Sequence, residues 1–364
     1  MLASPEQDGI GVNPDTGASE MVASPEPVGR GVSEGTRSSG MLDRAGAWAV
    51  RGQSTWRTVG PVIALTVGLA LYTNSENSRY LSDANVQALL STASILALIA
   101  TGQTVLMVAG QFDLSSGYVA AALGVIASRL YLERIVTSEL LVTVVVLGVG
   151  VMIGVIYGVI TAYLDVTSFM LTLGGLSVFE SVAYVLSQGR TLPVTLFSNL
   201  SSGQVFGVDF AIVISIAVVI VLAAILRVTK YGQFIRSTGS NRRAAFISGV
   251  PTKATIVGCF ALNGLMVAGA SCLLVAQLGA GDPSVGTSYS LEAIAAAVLG
   301  GAALSGGRGS IIGTYIAVVL LSVIQTSLDF LGVSGFYVDM VFGVVLIAAV
   351  SATAASNVKR RVRM

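Results

Sequence analysis

The feature that most constrains this chain is a succession of long apolar stretches, separated by short polar connectors, from Arg57 to Ala355. Only 11% of the 364 residues are charged, 54% are hydrophobic, and the mean hydropathy is +0.82. A soluble domain carries about a quarter charged residues, so the solvent for most of this sequence is lipid. Without water to satisfy the backbone, apolar stretches of about 20 residues must close their hydrogen bonds internally, as α-helices. The hydropathy pattern predicts an all-α polytopic membrane protein of about ten transmembrane helices. They fall near 58–73, 86–109, 115–128, 140–164, 168–187, 210–226, 254–277, 290–304, 310–330 and 337–355. Several are short or interrupted by glycine, as expected of closely packed helices and of half-helices ending inside the membrane.

Charge sets the orientation. With the N-terminus inside and the spans alternating, the inner side collects sixteen Lys/Arg and the outer side four: Arg79, Arg129, Arg134 and Arg190. The positive-inside bias therefore predicts that both termini are cytoplasmic. Six of the inner cations lie in 227–253, between two apolar spans and with no Asp or Glu. This loop holds a self-contained helix signal. Ser240 or Asn241 can cap the N-terminus, Arg242 to Ser248 form about two turns, and Gly249 with Pro251 stops them. A loop that only set orientation would not need a capped helix with small residues at Ala244 and Ala245. We read it as a docking helix for a cytoplasmic partner, carried by Ser240, Asn241, Arg242, Arg243, Ala244, Ala245 and Gly249.

Three domains follow. Residues 1–57 form a cytoplasmic tail in which MLASPEQDGIGVNPDTGASE is followed by MVASPEPVGRGVSEGTRSSG, identical at ten of twenty positions. Rich in Gly, Ser, Pro and Glu, this tail is predicted to be disordered, and it lacks the basic start and apolar core of a signal peptide. Met21 and Met41 begin comparable units, which leaves the translational start open. Residues 58–355 form the membrane domain and 356–364 a basic cytoplasmic tail. Within the membrane domain Asp113-Leu-Ser-Ser-Gly117 is echoed by Asp282-Pro-Ser-Val-Gly286. Each follows a span and precedes an Ala-rich helix, on opposite sides of the membrane, as expected of two inverted-topology halves.

Several chemistries are excluded. The chain has no histidine, which removes Ser-His-Asp and Cys-His catalysis and most zinc sites. Cys259 and Cys272 lie within one apolar span and make neither a disulfide framework nor a metal site. A net charge of +1 gives nucleic-acid binding no support. No lysine stands in a G-x-x-x-x-G-K-[ST] run, so no phosphate loop is present and energy must come from a partner or an ion gradient. We expect no catalytic residue, metal or cofactor.

The interior acids stand out. A carboxylate at membrane depth costs roughly 3 kcal/mol on translocon scales unless it is solvated or paired. Asp113, followed by Ser115, Ser116 and Gly117, either caps the next helix or marks a break lining a cavity; both can hold. Glu292, at the start of an Ala-rich span, suits the positive end of a helix. Glu180 lies halfway along a span, where a pathway or interhelix contact is the expected role.

The stretches GQTVLMVAGQFDLSSG (102–117), SFMLTLGGL (168–176), TKYGQFIRSTGSNRRAAFISGV (229–250) and LEAIAAAVLGGAALSGGRGSIIGT (291–314) occur in order over residues 60–355. In them the chain resembles the permease subunits of bacterial ABC importers of the ribose, xylose and galactose type. The resemblance implies a multi-pass protein of the bacterial inner membrane and an ABC ATP-binding subunit as partner. It also implies an extracytoplasmic solute-binding protein, and a second permease copy or a paralogue in a dimer surrounded by lipid. It identifies the basic loop with that family's coupling helix. As candidates for the translocation pathway we take Gln103, Asp113, Ser115, Phe169, Thr172, Glu180, Asn263 and Glu292. Gln103 and Asn263 could bond sugar hydroxyls or simply join helices, and Phe169 could stack on a sugar face or simply pack. Gln111, Phe112, Ser168, Glu180 and Asn263 depart from the family's usual residues and put the particular sugar in doubt. A nucleoside, a furanose-like signal molecule or an amino acid is the alternative cargo. An ion-coupled secondary carrier or a membrane scaffold would be a different class.

Overall fold

The computed structural model describes residues 60–198, 200, 203–333 and five positions between 337 and 347. The tail with its tandem repeat, most of the last predicted span and the basic C-terminus lie outside the described residues. The rest is helical: α1 (60–76), α2 (Asp83–Val108), α3 (Ser116–Leu132), α4 (Glu139–Tyr163), α5 (Ser168–Ser187), α6 (Phe210–Val228), α7 (Lys230–Ser240), α8 (Arg242–Ile247), α9 (Thr252–Leu278), α10 (Tyr289–Leu299) and α11 (Ile311–Phe330). Among the described residues six of these, α2, α4, α5, α6, α9 and α11, are long and apolar enough to cross a membrane. The chain is a multi-pass membrane protein. α3 and α10 are shorter apolar helices.

Two helices form the axis of the bundle. α2 and α9 are the most enclosed of the long helices and pack on each other, with α4 against α9 and with α6, α10 and α11 around α2. α4 approaches α9 through a glycine stripe. A Cβ at Gly150 would lie 2.5 Å from the Gly264 carbonyl oxygen, and one at Gly158 2.6 Å from the Val257 Cα. Gly154 sits in contact with the Phe260 carbonyl between them. In lipid, helices associate by such backbone approach rather than by the hydrophobic effect. Polar side chains add cross-links: Thr104 and Thr314 at 2.8 Å, Ser215 and Ser94 at 3.0 Å.

The outward faces of α4 and α6 are apolar through their middle turns, with Val144, Met152 and Ile156 on one and Ile216, Ile220 and Val221 on the other. α5 differs: it is the least enclosed long helix, and Gly174, Ser177 and Ser181 interrupt its exposed side. At one end of the bundle β1 (Leu192–Pro193) pairs antiparallel with β4 (Ala280–Gly281), and β2 (Gln204–Val205) with β3 (Val208–Asp209). At the other end lie α7, α8 and the glycine-rich turn after α10.

Candidate functional site

The break between α2 and α3 is a run of irregular backbone whose groups find their partners in several places. Gly110, at φ +76°, and Gln111 bond back to α2, through Met107 O and Leu106 O. Beyond them the chain relies on side chains. The Phe112 N–H donates to Ser168 Oγ (3.1 Å) and the Leu114 N–H to Thr172 Oγ1 (3.1 Å), both at the start of α5. The Ser115 N–H donates to Asp113 Oδ1 (2.8 Å), and the Gly117 N–H to Ser290 Oγ on α10 (2.9 Å). Irregular backbone survives at membrane depth only where protein supplies such partners.

Asp113 holds this break to the bundle. Its carboxylate is 4% exposed. Oδ1 also accepts from the Ser115 hydroxyl (2.7 Å), while Oδ2 accepts from the Ser116 hydroxyl (2.9 Å) and from Asn263 Nδ2 (2.8 Å). Asn263 lies eleven residues into α9, about 16 Å along the helix axis and so near mid-membrane. The Tyr157 and Ser115 hydroxyls are 3.2 Å apart. Because the single Ser115 proton goes to the carboxylate, Tyr157 is the donor in that pair. Tyr157 is itself set edge-to-face against Phe179 and Phe260. Four donors thus replace water around Asp113, and among the described residues no cation is bonded to it.

The structure brings Asp113, Ser115, Thr172 and Asn263 into one buried knot. Asp113 bonds to the N–H of Ser115, the residue that precedes α3, where the sequence pointed to N–H groups of the helix itself. Gln103 is fully buried in α2, with neither amide atom bonded, and the Asn263 Oδ1 is likewise unpaired. A cavity of about 10 Å³ lies beside Asp113, Tyr157 and Asn263. That is room for about one water molecule and none for a sugar. Phe169, Glu180 and Glu292 stand apart: Phe169 is exposed on α5, Glu180 is half-buried midway along it, and Glu292 is half-buried in the first turn of α10. Sequence reasoning passed over Tyr157 and Ser290, and named Ser168 only as a departure from the family's usual residue.

The basic loop folds as two helices, α7 before α8. Asn241 caps α8 by accepting the Ala244 N–H at 2.9 Å, and Gly249 closes it at φ +83°; Ser240 instead ends α7. Arg242 ties α8 to the bundle through the Ala162 carbonyl (3.0 Å) and Asp165 (3.1 Å). Ala245 turns inward, while Arg243, Ala244, Phe246 and Ile247 face outward. Phe246 and Ile247 had not been singled out, and at 67% and 76% exposed they are the largest apolar groups on that surface.

The second echo motif repeats the geometry of the first. The Ser284 N–H and hydroxyl donate to Asp282 Oδ1 at 2.8 and 2.6 Å, as those of Ser115 do to Asp113. The two motifs touch at their last residues: a Cβ on Gly286 would lie 2.6 Å from the Gly117 carbonyl oxygen.

A helical membrane bundle with a buried polar break and an outward-facing basic helix at one end has the construction of a transport permease. The chain belongs to the permease family described as branched-chain amino acid transport system / permease component, which matches residues 85–350. It is 33% identical over 301 residues to the ribose import permease of Haemophilus influenzae, covering 80% of this chain and 91% of that protein. To the ribose import permease of Bacillus subtilis it is 34% identical over 300 residues, with the same coverage. To the L-arabinose ABC transporter permease of Azospirillum brasilense it is 29% identical over 311 residues, 84% of this chain and 89% of the other. No solved structure matches the chain at a significant level.

Proposed function

We propose that this chain is the membrane-spanning subunit of an ATP-driven importer for a monosaccharide or related polyol, resident in a bacterial plasma membrane. The carrying observation is the likeness, over four-fifths of the chain, to permeases named for ribose and arabinose. The chain crosses the membrane ten times with both termini inside, as two inverted halves. It pairs with a second copy or a paralogue, hydrolyses no ATP itself, and receives its solute from an extracytoplasmic binding protein. α8 docks a cytoplasmic ATP-binding subunit through Phe246, Ile247, Arg243 and Ala244, with Asn241, Arg242 and Gly249 fixing its shape. The solute passes along the exposed side of α5, past Phe169 and Glu180, rather than through the Asp113 knot, whose cavity admits only water. Thr172 acts by holding α5 to the break, Ser115 by bonding Asp113 within it, and Asn263 by joining α9 to Asp113; Gln103 and Glu292 line the pathway behind it.

An amino-acid cargo is the second reading, favoured by the description of the matching family. Purification from native membranes in mild detergent, followed by mass spectrometry, tests the assembly, and uptake into vesicles tests the cargo. A co-purifying ATPase and ATP-dependent, uncoupler-resistant uptake of ribose or arabinose are expected. Recovery of the permease alone, with uptake that needs no ATP and collapses with an uncoupler, would overturn the proposal in favour of a secondary carrier. Uptake of amino acids but not sugars would select the second reading.

A further inference from the structure

Between α8 and the Asp113 break lies a joint made almost wholly of backbone. Gly239, at the end of α7, is pressed against the Val108 carbonyl at the end of α2; a Cβ there would overlap that oxygen and lie 2.8 Å from the Gly307 N–H nitrogen. Gly306, in the turn after α10, has φ +81°, and its Cβ would meet the Gly239 carbonyl oxygen at 2.5 Å and the Gly110 Cα at 3.0 Å. The Gly307 N–H donates to Val108 O at 2.9 Å, and Gly307 also touches Ser240. Three separate segments therefore meet chiefly through backbone, with the Ser240 side chain against Gly307. Two residues beyond this joint α8 begins; three residues beyond Gly110 is Asp113.

We infer that Gly239, Gly306 and Gly110 are positioning residues for transport: their joint passes displacement of α8 to the Asp113 break, and so to α5. A side chain at a joint can change rotamer and absorb a shift of an ångström. Backbone against backbone has no such slack, and close-packed interiors transmit strain. From Gly110 the shift reaches Phe112, Asp113 and Leu114, and through Ser168 Oγ and Thr172 Oγ1 it reaches the start of α5. The inference rests on the reading that α8 engages the ATPase.

Two experiments on the complete complex in proteoliposomes test it. The first compares ATP hydrolysis, as phosphate release, with uptake of radiolabelled ribose. Gly239→Ala is expected to leave ATPase assembly intact and hydrolysis within about twofold of the parent, while ribose moved per ATP falls roughly tenfold, the range for residues carrying coupling between sites. An unchanged ratio would overturn the inference. If that variant does not assemble, Gly110→Ala replaces it, since its Cβ would meet Gly239 at an ordinary 3.5 Å and the perturbation comes from φ +76°. The second experiment does not depend on the solute. A Cβ on Gly307 would lie 3.1 Å from Ser240 Cβ, so Ser240→Cys with Gly307→Cys can form a disulfide across the joint, between the end of α7 and the turn after α10. Equal cross-linking in nucleotide-free complex and in complex trapped with ATP and vanadate is expected of a joint that moves as one body. Loss of cross-linking in the trapped state would overturn the inference. A parent complex lacking an ATPase, or hydrolysing ATP without moving ribose, fails the functional reading instead, and the cysteine pair still judges the joint.

Discussion

Four donors take the place of water around the buried Asp113 carboxyl group, and each has a separable contribution. In Asn263→Ala, Oδ2 loses one of its two partners, which costs about 1–3 kcal/mol for a buried charged acceptor. Asp113→Asn should cost more: the new amide turns two hydrogens toward donors already present on Ser116 and Asn263, or on Ser115. Thermal unfolding of the purified protein in detergent should rank parent, Asn263→Ala and Asp113→Asn in falling order. Equal midpoints for all three would show that the knot is not what holds the break. The sequence made Asp113 conspicuous, because a lone acid beside an apolar run must be compensated. It could not bring Tyr157, Ser168 or Ser290 to the break, because they meet it from other spans. Nor could it reveal that Thr172 and Asn263 look inward, because hydroxyl and amide groups serve equally well in a pathway or between helices.

At the level of elements, the positions of the helices were legible and their faces were not. A membrane helix is apolar on every side, so hydropathy locates α4 but has no period that tells its protein side from its lipid side. The small residues carry that information. Gly150, Gly154 and Gly158 recur at every fourth position and meet α9, while Gly148, on the same helix, has nothing within 4 Å of the place a Cβ would occupy. Gly154→Ala should therefore force α4 off the Phe260 carbonyl and destabilise the protein by about 1–3 kcal/mol, the usual cost of overpacking. Gly148→Ala should be neutral or slightly stabilising, since Ala has about 1 kcal/mol better helix propensity. Detergent unfolding midpoints would separate the two, and equal losses at both positions would mean that the stripe does not set helix spacing. α8 was legible from its capping residues, because Asn241 and Gly249 act locally. α7 escaped notice because its buried residues, Gly232, Ile235 and Thr238, are not a strongly apolar set.

For the whole molecule, the proposal of inverted halves has a consequence that can be measured. If α2–break–α3 and α9–break–α10 are inverted copies, their breaks enter from opposite faces and meet only at Gly117 and Gly286, leaving that contact as the thinnest protein between the two sides. Inner and outer connectors must then alternate as the charge count requires, with Ser75 and Glu133 outside and Ser248 and Ser305 inside. All four are exposed, whereas Cys259 and Cys272 are buried and leave a quiet background for single-cysteine labelling. In intact cells a membrane-impermeant maleimide should react with cysteines placed at 75 and 133, and with those at 248 and 305 only after permeabilisation. The opposite pattern would reverse the orientation and put α8 out of reach of any cytoplasmic ATPase. Labelling of 133 and 305 from the same side would break the alternation between the halves. The resemblance of the Asp113 and Asp282 turns would then be a local convergence on one way to end a helix inside the membrane, rather than the mark of a repeated fold.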